Sequence, residues 1–310
     1  MTSRPIVECL TASQFSDEDL LLDLIGSKLV RGSLALFLGA GISKELSPTE
    51  DDLWMGLPSW RTLLQRLLDG ETDPDLAEKS YPQKALYFRL KYHKNNYPAY
   101  LAAVEAALYE NLKFNFTDIR KNDTLAALGA LVMNSSRGRV SEVVTFNWDD
   151  ILERFLLYYG FVTKPVFEAH FEAEVADVRV LHPHGFLPSP GSPFLARSER
   201  IIFDQTSYSE RTGREADRWN RKLTTILLEH MCLFVGLSGD DPAIDSLAVI
   251  ARDGYRQGKI PYWGVTILKS PSQITIDAHH ERGIFVHSVS DYRHLPDFLF
   301  RIVQSAASRR

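Results

Sequence analysis

Amide, carboxylate and imidazole side chains stand directly after apolar runs at two places in the sequence. Asn147 and Asp149 follow the run V-V-T, and His182 and His184 follow V-R-V-L. An amide both donates and accepts hydrogen bonds, whereas an ionised carboxylate only accepts. Imidazole titrates near neutral pH and suits general-base catalysis. These side-chain types predict a site that holds a sugar hydroxyl or a water and accepts a proton.

Structural uses of the same residues are the alternatives at this point. Asp149 or Asp150 can cap the helix that follows, which is a common use of aspartate. The spacing of His182 and His184 also occurs in metal sites, but no cysteine or third histidine lies nearby in the sequence. We therefore predict no metal site.

Glycines and hydroxyls follow two further apolar runs. Paired glycines let the backbone approach a pyrophosphate closely, and a nearby hydroxyl adds a hydrogen bond. The first run lacks the complete G-x-G-x-x-G pattern, so a tight turn without a ligand is the alternative there. An aspartate after the second run can equally cap the helix that Pro242 begins. The residues concerned are Gly39, Ala40, Gly41 and Ser43 after S-L-A-L-F-L, and Gly236, Ser238 and Asp240 after M-C-L-F-V.

Short apolar runs alternate with amphipathic stretches along much of the chain. This alternation implies crossover connections, and it predicts an α/β fold with a Rossmann-like, doubly wound, mainly parallel sheet. Ligands of such sheets bind beyond the carboxyl ends of the strands, where the polar residues above are found. The predicted strands are 33–38, 141–146, 178–181, 201–203, 231–236, 261–268 and 283–287.

Successive helical patterns fill residues 60–135, between the first and second predicted strands. We interpret this stretch as a helical insertion within a single domain that spans residues 1–310. Its predicted helices are Trp60–Leu68, Gln83–His93, Pro98–Leu112 and Asn122–Met133. Other predicted helices are a capped one after Ser16, then 149–159, 214–230, 242–257, 272–281 and 295–305.

The composition excludes several classes of protein. A net charge of −5 argues against a nucleic acid as the main partner, since phosphate backbones need a basic face. Cys9 and Cys232 are too few for a four-cysteine zinc site and do not suggest a disulfide scaffold. No run approaches the roughly 18 apolar residues of a membrane helix, and the start lacks a signal peptide. We expect a cytoplasmic protein without membrane contact.

Taken in chain order, five short motifs resemble the sirtuin-like NAD-binding family. They are G-A-G-I-S (39–43), G-L-P-S-W (56–60), T-F-N-W-D (145–149), H-G (184–185) and G-L-S (236–238). The resemblance spans residues 30–300 and is greatest to the bacterial sirtuin-like domains of antiphage-defence proteins. Each motif is short, so their joint order and spacing carry the resemblance.

The resemblance implies a role for each matching position. NAD⁺ is the implied substrate, with Asn147 and Asp149 at the nicotinamide-side ribose and the attacking water. His184, directly before glycine, is implied to be the catalytic base, and His182 has no counterpart. The positions implied to bind the rest of NAD⁺ are Gly39, Ala40, Gly41, Ser43, Thr145, Gly236, Ser238 and Asp240.

Departures from the family's pattern indicate the reaction. Sirtuin deacylases usually carry a zinc module of four cysteines, which this chain cannot build, and Ser59-Trp60-Arg61 replaces a family Phe-Arg segment. We therefore expect NAD⁺ hydrolysis to ADP-ribose and nicotinamide, the reaction of the defence branch. Protein deacylation and non-catalytic sensing of NAD⁺ or ADP-ribose are the alternatives. The expected partners are further copies of the chain and a separate regulatory protein, such as an ATPase encoded nearby.

Overall fold

The structure of the protein is a computed structural model. It describes residues 6–44, 56–94, 96–110, 112, 119, 122–133, 140, 142–169, 176–212, 217–237, 248–249, 251–253, 255 and 260–309.

Seven strands form one sheet, in the order β3-β4-β2-β1-β5-β6-β7. All six neighbouring pairs are parallel, which confirms the predicted α/β, doubly wound class. The strands are β1 Leu34–Leu38, β2 Glu142–Thr145, β3 Thr163–Val166, β4 Val178–Leu181, β5 Met231–Val235, β6 Gly264–Lys269 and β7 Ile284–Val289.

Helices connect the strands, and those labelled α3 to α6 lie between β1 and β2, as predicted. None of the helices in the described part of the chain is long and apolar enough to cross a membrane. The helices are α1 Glu18–Val30, α2 Gly41–Lys44, α3 Trp60–Leu67, α4 Tyr81–Tyr92, α5 Tyr97–Tyr109, α6 Asp123–Met133, α7 Ile151–Tyr158, α8 Gln205–Thr212, α9 Arg218–Glu229, α10 Gln273–Glu281 and α11 Leu295–Ala307.

The sheet is buried on both faces, and β1 shows this most clearly. Leu34, Leu36 and Leu38 belong to a large core that also contains residues of α1, α6 and α11. Ala35 and Phe37 point to the other face and belong to a second core with residues of α9. Because both faces are covered, the polar side chains of the sheet concentrate where the strands end.

The predicted strand at 201–203 is wrong. Ile201 and Phe203 are buried, but the amides here bond the Tyr97 hydroxyl, the His184 carbonyl and the Ser207 hydroxyl rather than a neighbouring strand. The seventh strand is instead β3, which forms one edge of the sheet. Its Pro165 lacks an amide donor, which an edge strand tolerates.

The helix predictions differ from the structure in two places. Helix α8 was not predicted, because its sequence Q-T-S-Y-S-E-R-T is polar and has no apolar stripe. Most of the predicted helix 242–257 lies outside the described residues, although residues 248–249, 251–253 and 255 are helical.

Candidate active site at the carboxyl edge of the sheet

The strand order changes direction beside β1, which pairs with β2 on one side and with β5 on the other. Leu38 lies opposite both Thr145 of β2 and Val235 of β5, so the three strands end at the same level. The loops that follow them therefore begin side by side. A switch point of this kind is where doubly wound sheets bind ligands.

Asn147 joins the loop after β2 to the loop after β1. Its Nδ2 donates to the Gly39 carbonyl at 3.1 Å and to Ser43 Oγ at 3.1 Å. Ser43 Oγ in turn donates to Asp149 Oδ2 at 3.0 Å. The Gly39 carbonyl can only accept, so the amide nitrogen must face it. Ser43, Asn147 and Asp149 thus form one buried polar chain, called here the Ser43–Asn147–Asp149 chain.

Asp149 serves the following helix and the polar chain at the same time. Its Oδ1 accepts a hydrogen bond from the Ile151 amide at 3.2 Å, which is the capping role considered from the sequence. Burial raises the pKa of this carboxyl from 3.8 to about 7, and the nearby Glu153 and Asp150 carboxyls add to the rise. The group therefore changes protonation state near neutral pH.

Asp150 plays a different part from its neighbour. It occupies the N-cap position of α7, but its side chain does not cap the helix. Its Oδ1 instead accepts from the Ser189 amide at 3.1 Å, so it secures the chain beyond β4.

His182 is completely buried beneath Asn147. Its Nδ1 lies 3.0 Å from the Asn147 carbonyl oxygen, and its Nε2 lies 2.5 Å from Glu153 Oε1. Burial alone would lower the pKa of His182, but the charge and hydrogen bond of Glu153 outweigh it and raise the pKa. Glu153 was missed from the sequence, because a glutamate in the first turn of a helix is usually an exposed residue.

His184 lies against the same loop through aromatic contacts. Its ring packs edge-on against Phe146, with centroids 4.7 Å apart, and against Tyr208 of α8 at 5.4 Å. Gly185 follows with a φ of 101°, and a Cβ there would approach the Arg200 carbonyl oxygen to 3.0 Å. The H-G pair therefore places His184 next to the Asn147 loop by a turn that requires glycine.

A cavity of about 400 Å³ opens beside His184, between the loop after β4, residues 200–204, α4 and α8. Arg89 and Arg211 line it, and each is paired with a carboxylate: Arg89 with Asp204 at 2.9 Å and Arg211 with Asp217 at 3.0 Å. Among the described lining residues, His184 is the only predicted catalytic or binding residue. His184 thus faces this cavity as well as the Asn147 loop.

The glycines of the two predicted phosphate loops approach one another. Gly41 donates its amide to the Gly236 carbonyl at 2.9 Å, and a Cβ on Gly41 would lie 2.8 Å from Gly236 Cα. Gly236 has a φ of 72°, and a Cβ there would lie 2.8 Å from the Ile42 amide nitrogen. Close packing of two loops is thus a sufficient reason for these glycines. Their contact with a pyrophosphate stays a prediction.

The other predicted positions are distributed around this centre. Thr145 is buried at the end of β2, and its Oγ1 accepts from the Asn147 amide at 3.2 Å. Ala40 is half-buried between Gly39 and Gly41. Ser238 and Asp240 lie outside the described residues. Within the described residues, no group of three or more His, Cys, Asp or Glu side chains could hold a metal ion.

The fold and this site together define a class, a doubly wound α/β protein with a buried polar cluster at the switch point of its sheet. The family model of the SIR2-like domain matches residues 141–287, a segment that begins just before β2 and ends within β7. The segment contains Asn147, Asp149 and His184. This segment of the chain is thus similar to the SIR2-like domain, in agreement with the resemblance of its motifs.

Similarity to other known proteins is more distant. A solved structure described as "Structural Basis for the Mechanism and Regulation of Sir2 Enzymes" covers 94% of this chain and 98% of its own chain. Its sequence identity to this chain is 14% and the TM-score is 0.43. No curated protein matches the chain.

Proposed function

We propose that the protein hydrolyses NAD⁺ to ADP-ribose and nicotinamide. The observation that carries the proposal is the Ser43–Asn147–Asp149 chain, which links two strand ends more than a hundred residues apart at the switch point of the sheet. Such an edge suits a nucleotide. The SIR2-like match over residues 141–287 supports NAD⁺ as that nucleotide.

The reaction replaces one bond at the anomeric carbon of the nicotinamide-side ribose. The bond from this carbon to the nicotinamide nitrogen breaks, and its electron pair neutralises the cationic ring, which leaves as nicotinamide. A water oxygen forms the new bond to the same carbon. The released proton passes to His184, directly or through a ribose hydroxyl. General-base assistance of this kind contributes about 10²- to 10⁴-fold in rate.

Asn147 and Asp149 position the reactants in this proposal. Asn147 is held by the Gly39 carbonyl and by Ser43, so its amide holds the water without first losing rotational freedom. Asp149 binds the ribose and supports Ser43. The backbone around Gly39, Ala40, Gly41 and Gly236 would accommodate the phosphates, with Ser238 and Asp240 near the adenosine side.

The biological setting belongs to the same proposal. Loss of NAD⁺ kills a cell, so an effector of antiphage defence is the role that fits the hydrolase. Uncontrolled activity would be harmful, which suggests regulation by assembly with further copies of the chain or by a separate ATPase. The helical segment between β1 and β2 offers a surface for such contacts.

Release of nicotinamide from NAD⁺ by the purified protein tests the proposal, with Asn147→Ala and His184→Ala alongside. We expect activity in the parent and at least a 100-fold loss in each variant, because positioning and general-base help are both removed. His279→Ala is the matched control, since His279 is a buried histidine on α10 whose Nδ1 bonds the Thr275 carbonyl oxygen. Thermal unfolding checks that each variant is folded.

Each alternative gives a different result in this assay. Release only in the presence of an acyl-lysine peptide would show a deacylase. Tight NAD⁺ binding without release, with or without the product of a neighbouring gene, would show a sensing module. Full activity of His184→Ala would refute the assignment of the base.

A further inference from the structure

We propose that the buried pair formed by His182 and Glu153 is a positioning device that fixes the backbone of Asn147. The kinetic part of its test rests on the proposed hydrolase function, whereas the structural part does not. Neither residue has an assigned role in the reaction, and neither is exposed: His182 is 0% and Glu153 is 1% accessible.

The hydrogen bonds determine where the protons of this pair lie. The Asn147 carbonyl oxygen can only accept, so Nδ1 of His182 must carry a proton. Nε2 and Glu153 Oε1 are 2.5 Å apart, so a second proton lies between them. The pair is neutral overall whether that proton is on the imidazole or on the carboxyl. It can therefore hold the Asn147 carbonyl in a buried place without a net charge.

The contacts of Asn147 show what the pair controls. Its backbone amide donates to Thr145 Oγ1, and its backbone carbonyl accepts from His182. Its side-chain Nδ2 donates to the Gly39 carbonyl and to Ser43 Oγ. The bond to His182 holds the carbonyl side of the Asn147 backbone, whereas the bond to Thr145 Oγ1 holds its amide side. The bond from His182, in the loop after β4, thus completes a set of restraints that holds the side-chain amide of Asn147 against the loop after β1.

Stabilisation of the fold is a weak explanation for the buried pair of His182 and Glu153. Apolar residues of similar volume often replace a buried pair without loss of stability, because burying two charges offsets most of their attraction. Loss of one partner alone is strongly destabilising, so single substitutions would mix a folding defect with a catalytic one. A double substitution by apolar residues separates the two effects.

The test compares the double variant His182→Phe with Glu153→Leu against the parent. Phenylalanine keeps a ring of similar size beside Phe186, which packs edge-on at 4.8 Å, but it cannot bond the Asn147 carbonyl. We expect kcat for nicotinamide release to fall at least about 10-fold while KM changes less than about 3-fold, as displacement of a positioned group does.

Two further variants identify the cause of a loss. Glu153→Gln leaves a neutral His182 with a proton on Nδ1 and an amide that donates to Nε2, so we expect kcat within about 3-fold of the parent. Arg309→Met is the matched control, because Arg309 is a buried cation that pairs with Asp23 of α1 at 2.5 Å. It should lower stability and leave kcat unchanged.

Hydrogen exchange of the Asn147 and Ile151 amides gives a readout that needs no turnover. We expect these amides to exchange at least about 10-fold faster in the double variant than in the parent, and at the parent's rate in Arg309→Met. If the parent does not release nicotinamide but the exchange changes as expected, the hydrolase proposal fails and the positioning role stands. Unchanged exchange and kcat in the double variant, or an equal kcat loss in Arg309→Met or Glu153→Gln, would overturn the positioning role.

Discussion

The buried carboxyl of Asp149 makes the stability of the protein depend on pH in a direction opposite to that of most aspartates. Its pKa is raised from 3.8 to about 7 by burial. The folded state therefore binds a proton that the unfolded state releases between these two values. The contribution of Asp149 to the free energy of unfolding accordingly decreases as the pH rises from about 4 to about 7, and this contribution changes no further above that range.

The substitution Asp149→Asn isolates this effect. Asparagine can keep the bond in which Oδ1 accepts from the Ile151 amide, and its Nδ2 can donate to Ser43 Oγ in place of the bond that Ser43 donates to Asp149. One pKa unit corresponds to about 1.4 kcal/mol, so the rise is equivalent to about 4 kcal/mol. We expect the variant to become more stable relative to the parent as the pH rises, with the difference growing by up to about 4 kcal/mol.

Urea unfolding of the parent and of Asp149→Asn, at several pH values between about 4 and 8, measures the difference. Asp291→Asn is the control, because the pKa of Asp291 is shifted in the opposite direction. The amide and guanidinium of Arg293 hold it well below its usual range. That variant should differ from the parent by a constant amount across this pH range, because an aspartate with a lowered pKa changes its contribution to stability only at more acidic pH. Parallel stability curves for the parent and Asp149→Asn would refute the raised pKa.

Two further predictions concern the loops around the site. Gly236→Ala should lower the free energy of unfolding by more than the about 1–2 kcal/mol expected from a left-handed backbone alone, because its Cβ would also collide with the Ile42 amide. Gly191→Ala, with a φ of 71° and open space around it, is the control in the same urea titration, and equal losses would contradict the collision. Arg89→Ala should cost about 2 kcal/mol, since it removes a charged hydrogen bond from the buried Asp204. Arg31→Ala, which breaks an exposed pair with Glu8, should cost less than Arg89→Ala, and the reverse ranking would show that burial does not set these values.

Local chemistry in the sequence was enough to predict much of the secondary structure. A capped helix after Ser16 was predicted, and α1 is capped by Asp17, whose carboxylate accepts from the amides of Asp19 and Leu20, only two and three residues away. The runs that became β1 and β5 were recognised because strands buried on both faces are continuously apolar. Each of these signals acts over a few residues, so no knowledge of the fold is needed to read it.

Where the decisive contact was distant in sequence, the prediction of secondary structure failed. The strand β3 contains Lys164 and Pro165, and it exists because β4 pairs with it along its whole length. The apolar segment 201–203 is buried without being a strand, because its amides bond side chains of α5 and α8 and the His184 carbonyl. Neither outcome is visible in the segment itself, since the partner that determines it comes from elsewhere in the chain.

The sequence by itself determined which kinds of side chain stand at the carboxyl ends of the strands. Strand ends and the order of the motifs were enough to select Asn147, Asp149 and His184 from the sequence. Only the tertiary structure decided what each of them contacts. Ser43 meets Asp149 across 106 residues, and His182 meets Glu153 across 29, because parallel strands bring distant loops to one edge. The sequence gives the type of each side chain directly, whereas the burial, the partner and therefore the pKa of that side chain depend on the packing of the whole sheet.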